Sequence, residues 1–247
     1  MTIRPLALVC ALCLTGLFVA CSGAETTTDE SGRPMPSESA AEDAITESLI
    51  AFNDACINPQ ALSQGETFPV TLIEPDTTRP TVAVRQFLTL EDAELLSSNR
   101  IVDERGLVKN TFTLTDDGQK SLKTVYQFRG WRSAFCYATP EVTEIDTIFA
   151  LRQRAQQPLA EVQYSYELTD VEDWARRDDI QRNYRDVPDI LRETNQTKSG
   201  RETVALTDTG WRSLRVIRRT DESNEPTPGQ DVTEKNADGT SNMREWQ

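Results

Sequence analysis

An unbroken apolar run near the N-terminus does most to limit what this chain can become. Leu6 to Ala20 reads LALVCALCLTGLFVA, after a five-residue start with one positive charge, Arg4. As a helix its roughly fifteen residues reach about 22 Å, short of the ~30 Å hydrocarbon core that a spanning helix must cross. A charged start, a short apolar core and small residues at its end make an export signal, so residues 1–20 are expected to leave the mature chain. What remains must fold outside the cytoplasm with few cysteines. Cys10 and Cys13 depart with the signal, so their CxxC spacing is neither a redox nor a zinc motif.

The run ends in Phe18-Val19-Ala20-Cys21, with the polar segment SGAETTTDESG following. This tetrapeptide resembles the lipobox of bacterial lipoproteins, usually Leu-(Ala/Ser/Thr/Val)-(Gly/Ala)-Cys, with Phe18 in place of the commoner Leu. The resemblance implies a diacylglycerol on the Cys21 sulfur, cleavage before Cys21, and acylation (a palmitate-type chain) of the new amine. Several acyl chains, at about 0.8 kcal/mol per buried methylene, hold a protein on a bilayer. Ser22 rather than Asp after the cysteine favours the outer membrane by analogy, with the domain facing the periplasm. Ordinary signal cleavage with an unmodified Cys21 is the alternative.

Apart from the anchor, the mature chain keeps Cys56 and Cys136. In an oxidising compartment the leading expectation is a disulfide. It would close a loop of about 80 residues, for which the chain-entropy model gives roughly 4 kcal/mol. Two unrelated buried thiols are the alternative, because both lie in apolar contexts where free cysteine packs well.

The chain has 26 Lys+Arg against 40 Asp+Glu, a net charge of −14, and losing Arg4 makes the mature form more acidic still. Such a surface repels phosphate backbones and anionic headgroups, which disfavours nucleic-acid binding and a polybasic membrane patch, while suiting a basic partner. There is no histidine. This removes the commonest general base near neutral pH and the commonest catalytic zinc ligand.

Residues 21–40 read as a flexible tether and 220–247 as a disordered tail that contains Trp246; both are polar and lack apolar periodicity. Between them the expected class is α+β with a mainly antiparallel sheet, in two units, 41–138 and 139–219. Ala44, Ile45, Leu49, Phe52 and Cys56 predict a helix over 42–57. Strands are expected at 68–73, 81–88, 110–115, 123–128, 133–137, 142–150 and 160–168. Helices are expected at 90–99 and 170–177.

Parts of the sequence recur. Phe112-Thr-Leu-Thr-Asp-Asp-Gly118 parallels Val204-Ala-Leu-Thr-Asp-Thr-Gly210, and Gly-Trp-Arg-Ser occurs at 130–133 and 210–213. Leu88 to Asp92 parallels Leu168 to Asp173. Each copy is expected to be a helix, a short hairpin and a strand stopped by Thr-Asp-x-Gly, where Asp bonds nearby N–H groups and Gly permits a left-handed turn. The pattern resembles the wing of a winged-helix domain over about 35 residues per copy. DNA binding does not carry over, because the segment is exported and its candidate recognition helix 90–99 has three acids and no Lys or Arg. With Phe135-Cys136-Tyr137-Ala138 and Asp173-Trp174-Ala175, the whole resembles poorly characterised proteobacterial envelope lipoproteins. Some lipoproteins of this type are immunity proteins against antibacterial toxins.

Asp116, Asp117, Asp170, Glu172, Asp173, Asp178 and Asp179 could supply paired carboxylates. They lack EF-hand spacing and read better as solvated caps and turns. Arg176, Arg177, Arg182 and Arg185 give 173–189 a mixed-charge face. Trp131, Trp174 and Trp211 read as packing residues. No catalytic residue, cofactor or metal site is expected. The reading is a non-enzymatic, lipid-anchored lipoprotein that binds a periplasmic protein, in one form an immunity protein. A structural envelope-assembly role and a carboxylate-based hydrolase are the alternatives.

Overall fold

The computed structural model describes residues 26–63, 67–74, 80–151 and 157–223. Cys10, Cys13, the lipobox-like tetrapeptide Phe18–Cys21, and Trp246 lie outside the described residues. The chain is α+β, and every strand pairing among the described residues is antiparallel. The order is β1 (Thr26–Thr28), β2 (Pro34–Pro36), α1 (Glu38–Ala51), β3 (Cys56–Ile57), α2 (Gln60–Ser63), β4 (Val70–Glu74), α3 (Val82–Asp92), β5 (Leu96–Val102) and β6 (Val108–Leu114). Then follow α4 (Asp116–Ser121), β7 (Leu122–Gln127), β8 (Gly130–Cys136), β9 (Thr139–Ala150), β10 (Leu159–Thr169), a 3-10 turn (Asp173–Arg176), α5 (Asp178–Asn183), α6 (Val187–Arg192), β11 (Lys198–Thr207), β12 (Gly210–Ser213) and α7 (Leu214–Ser223).

The strands form a sheet ordered β12-β11-β10-β9, two three-stranded sheets, β3-β8-β7 and β4-β6-β5, and the β1-β2 hairpin. Two main cores result. Ala41, Ala44 and Ile45 of α1 pack on Ala160, Val162, Val204 and Trp211 of the four-stranded sheet. Phe87, Phe112, Phe135, Tyr137, Trp174, Ile180, Tyr184 and Val187 form the other. Each core draws residues from both sides of the expected boundary at 138/139. The first helix covers the C-terminal sheet, while Trp174, Ile180 and Val187 pack into the core with Phe87, Phe112 and Phe135.

The expected tether is corrected too. Residues 26–36 form a hairpin turned at Asp29, whose carboxylate accepts the N–H groups of Ser31 and Arg33 at 2.9 Å. Met35 packs against the α1 core, and Ser37 caps α1 with its hydroxyl. Helix α1 ends at Ala51 rather than 57, and α7 carries order to residue 223, past the expected start of the tail at 220.

Two adjacent expectations change places. Residues 81–88 form helix α3, capped by Thr81, because Val84, Phe87 and Leu90 bury one face at three-residue spacing. Glu94, at φ 61°, ends that helix; of the expected helix 90–99, residues 90–92 close α3 and residues 96–99 open β5. The expected helix 170–177 is the 3-10 turn followed by α5.

The repeated stretches share one setting and not the other. Both Gly-Trp-Arg-Ser segments open the second strand of a hairpin with a two-residue turn, Gln127 facing Gly130 and Thr207 facing Gly210. The Thr-Asp-x-Gly segments diverge. Thr115 caps α4, and Gly118 lies inside that helix, where a Cβ would sit 1.8 Å from the Leu95 carbonyl oxygen. In the second copy α6 leads into β11 with no hairpin ahead of it.

Candidate binding cleft

The disulfide Cys56–Cys136 joins facing residues of β3 and β8. Buried Asn53 braces the same corner. Its Nδ2 donates to the Ala138 carbonyl and its Oδ1 accepts the Ala55 N–H, both at 2.9 Å. A buried amide with both ends satisfied fixes the chain direction on either side of it. These ties hold the end of α1 against the start of β9.

Beside this corner opens a cleft of about 700 Å³, within the range of ligand-sized sites. Phe52 and Asp54 form one wall, and the tip of the β7–β8 hairpin, with Tyr126 and Phe128, forms its rim. Tyr184, Asp186 and Val187 line it as well, with Tyr137 and Tyr166. Phe52 meets Tyr126 at 5.4 Å between centroids, and Tyr126 meets Trp131 edge-on at 5.6 Å. Arg215 lies 3.6 Å over Phe52 and Arg219 lies 5.1 Å over Tyr126, so α7 props the aromatic wall by cation–π contacts.

The hairpin tip is unusual. Phe128 and Arg129 have φ of 50° and 64°, the backbone of a turn that favours Asn-Gly. Left-handed backbone costs a residue with a Cβ roughly 1–2 kcal/mol. The Phe128 ring is nevertheless 74% exposed, so packing does not offset that cost.

Burial, then the Asp186 and Asp54 charges, pushes the Tyr137 phenol well above its ordinary range, and burial does the same to Tyr184. Both stay protonated at physiological pH, and Tyr184 donates to the Gln86 carbonyl at 3.3 Å. These phenols can donate hydrogen bonds but cannot serve as bases. Of the cleft acids, Glu193 is held low by the Lys198 ammonium that bonds it at 2.7 Å.

The seven acids singled out in the sequence, Asp116, Asp117, Asp170, Glu172, Asp173, Asp178 and Asp179, do not line this cleft. Asp117 pairs with Lys120, and Asp179 with Arg177, both on the surface. Of the mixed-charge arginines, Arg185 alone reaches the lining. Trp174 and Trp211 are buried, and Trp131 is half-buried. Among the described residues no cluster of three metal-ligating side chains occurs. Sequence reading missed Phe128, Asn53 and Asp186. The only local signal was Phe128-Arg129 between strand-like runs, two residues poorly suited to a tight hairpin. Comparison with family models, curated proteins and solved structures finds no match for the chain.

Proposed function

We propose that this chain is a lipid-anchored lipoprotein of the bacterial outer membrane that faces the periplasm and holds a protein partner at the cleft, without catalysis. The observation that carries the binding reading is Phe128, an exposed ring on left-handed backbone at the rim. Strain kept where it adds no packing is a sign of function, and exposed aromatic residues at a concave site are typical anchors of protein interfaces. The lipobox carries the anchor, as above.

The partner is basic. Asp54 and Asp186 stand at the cleft, where the other charged lining residues are Arg185 and the bonded pair Glu193 and Lys198, and the chain as a whole carries −14. Neutralisation of a basic toxin is the form of this reading that fits such charge complementarity.

A photo-crosslinking residue in place of Gln127, next to the tip, tests it in cells. A single protein adduct is expected, lost in Phe128→Asp while the Cys56–Cys136 bond stays intact. No adduct, or an adduct indifferent to Phe128→Asp, would refute the cleft as the docking site.

A further inference from the structure

In so acidic a chain, a local gathering of arginines stands out. Arg201 of β11 and Arg215, Arg218 and Arg219 of α7 line a shallow recess of about 490 Å³ together with Glu202, Thr203 and Leu214. The three helical arginines are three and four residues apart, which puts them on one face. The acids nearby are largely engaged. Glu202 accepts the hydroxyls of Ser48 and Ser213, Glu161 lies 3.5 Å from Arg201, and Glu47 pairs with Arg212. Asp221 stands further along α7. Arg215 and Arg218 are exposed, and neither has a carboxylate partner among the described residues. Stacking of Arg215 on Phe52 uses the flat face of the guanidinium and leaves its edge, the side that matches a phosphate, for another group.

The position of this recess relative to the N-terminus gives it meaning. The Trp211 indole N–H donates to the Thr26 hydroxyl at 3.2 Å, and α7 begins just after β12, at Leu214. Cys21 precedes Thr26 by five peptide units, a span of at most ~18 Å of chain. A domain of this size is roughly 40 Å across. An anchor on Cys21 therefore sits within about 18 Å of Thr26, and Arg201 lies five residues along β11 from Leu206, which faces Trp211, so the recess is about 17 Å further on and within reach of the same bilayer surface.

We propose that the arginine recess is a membrane-docking surface for the phosphates of anionic phospholipids in the leaflet that carries the anchor. The inference rests on the lipid-anchor reading above. Free in solution, the acidic body would be repelled by such a surface. Once tethered, the same repulsion turns its acidic faces away while the arginines come within a Debye length, about 8 Å, of the headgroups. Orientation then follows from the charge pattern. Because Arg215 and Arg219 also lie over the cleft aromatics Phe52 and Tyr126, docking fixes how the cleft is presented.

The test uses the mature chain from Cys21, in which Cys21 is the single free thiol, coupled through that thiol to a maleimide lipid in nanodiscs doped with a gadolinium headgroup. Paramagnetic broadening of backbone amides is compared on phosphatidylcholine and on phosphatidylcholine with phosphatidylglycerol. Broadening in α7 should rise about tenfold on the anionic discs and return to the neutral-disc level in Arg215→Gln/Arg218→Gln. Arg218→Gln alone, which spares the Phe52 contact, should remove part of the rise. Even broadening over the whole surface, or an α7 signal indifferent to lipid charge or to both variants, would overturn the proposal. Chemical coupling makes this result independent of cellular acylation. The anchor is tested separately, by loss of palmitate-analogue labelling in Cys21→Ala.

Discussion

Tyr164 of β10 lies directly across from Gly200 of β11, and a Cβ on Gly200 would fall 2.3 Å from the ring carbon Cζ. The phenol end of the ring lies against the glycine and Tyr164 is only 5% exposed, so the ring is hemmed in by its neighbours. Gly200→Ala should therefore cost roughly 1–3 kcal/mol in urea unfolding, as overpacking does. The same change in a Tyr164→Leu background should cost less than half as much. Equal costs in both backgrounds would show that the ring is not the obstacle.

The Cys56–Cys136 bond closes a loop of 80 residues and holds β3 to β8 at the edge of the cleft. Replacing both cysteines by alanine should lower unfolding free energy by up to about 4 kcal/mol, and reductant should give the same loss in the wild type but none in the variant. Thiol titration of the unfolded chain checks the premise: it should find Cys56 and Cys136 unreactive until reductant is added.

Stability should be flat from about pH 6 to 9, because the chain has no histidine. Hydrogen bonds to the Asp103 carboxylate, from the Leu107 and then the Arg105 backbone N–H, hold it below its ordinary value of 3.8. The Arg177 guanidinium does the same for Asp179. A depressed folded pKa stabilises above the unfolded value and ceases to do so as pH falls through the folded one, so stability should drop below about pH 4. At the other end, burial raises the Tyr164 phenol from 10.0 to about 12. That contribution is complete below pH 10 and lost as pH rises toward about 12. Urea titrations should show both limbs, the acid one shallower in Asp103→Asn and the alkaline one shallower in Tyr164→Phe. A transition near pH 7 would contradict this assignment.

Where one face of a strand is buried, alternation in the sequence located it well: β6 to β10 fall close to the expected ranges. Residues 81–88 misled because Thr81, Val82 and Val84 favour strands, while the three-residue spacing of Val84, Phe87 and Leu90 carried the weaker signal that packing obeyed. The 26–36 hairpin was hidden by a composition shared with disordered segments, although Asp29 and Gly32 supply its turn. The cleft was not legible at all. Phe52, Phe128 and Asp186 lie on three distant segments brought together by tertiary packing. Net charge likewise hid the arginine recess, since an average over the chain says nothing of where four side chains meet.

The most direct test of the account exploits its claim that strain at the hairpin tip serves binding. Phe128→Asn/Arg129→Gly installs the residues that this turn favours. The variant should unfold about 1–2 kcal/mol later in urea than the wild type, as relief of left-handed strain requires. It should also retain less than about a tenth of the partner captured from cells, as loss of an aromatic anchor would give. A stabilised variant that captures its partner as well as the wild type does would contradict the central claim.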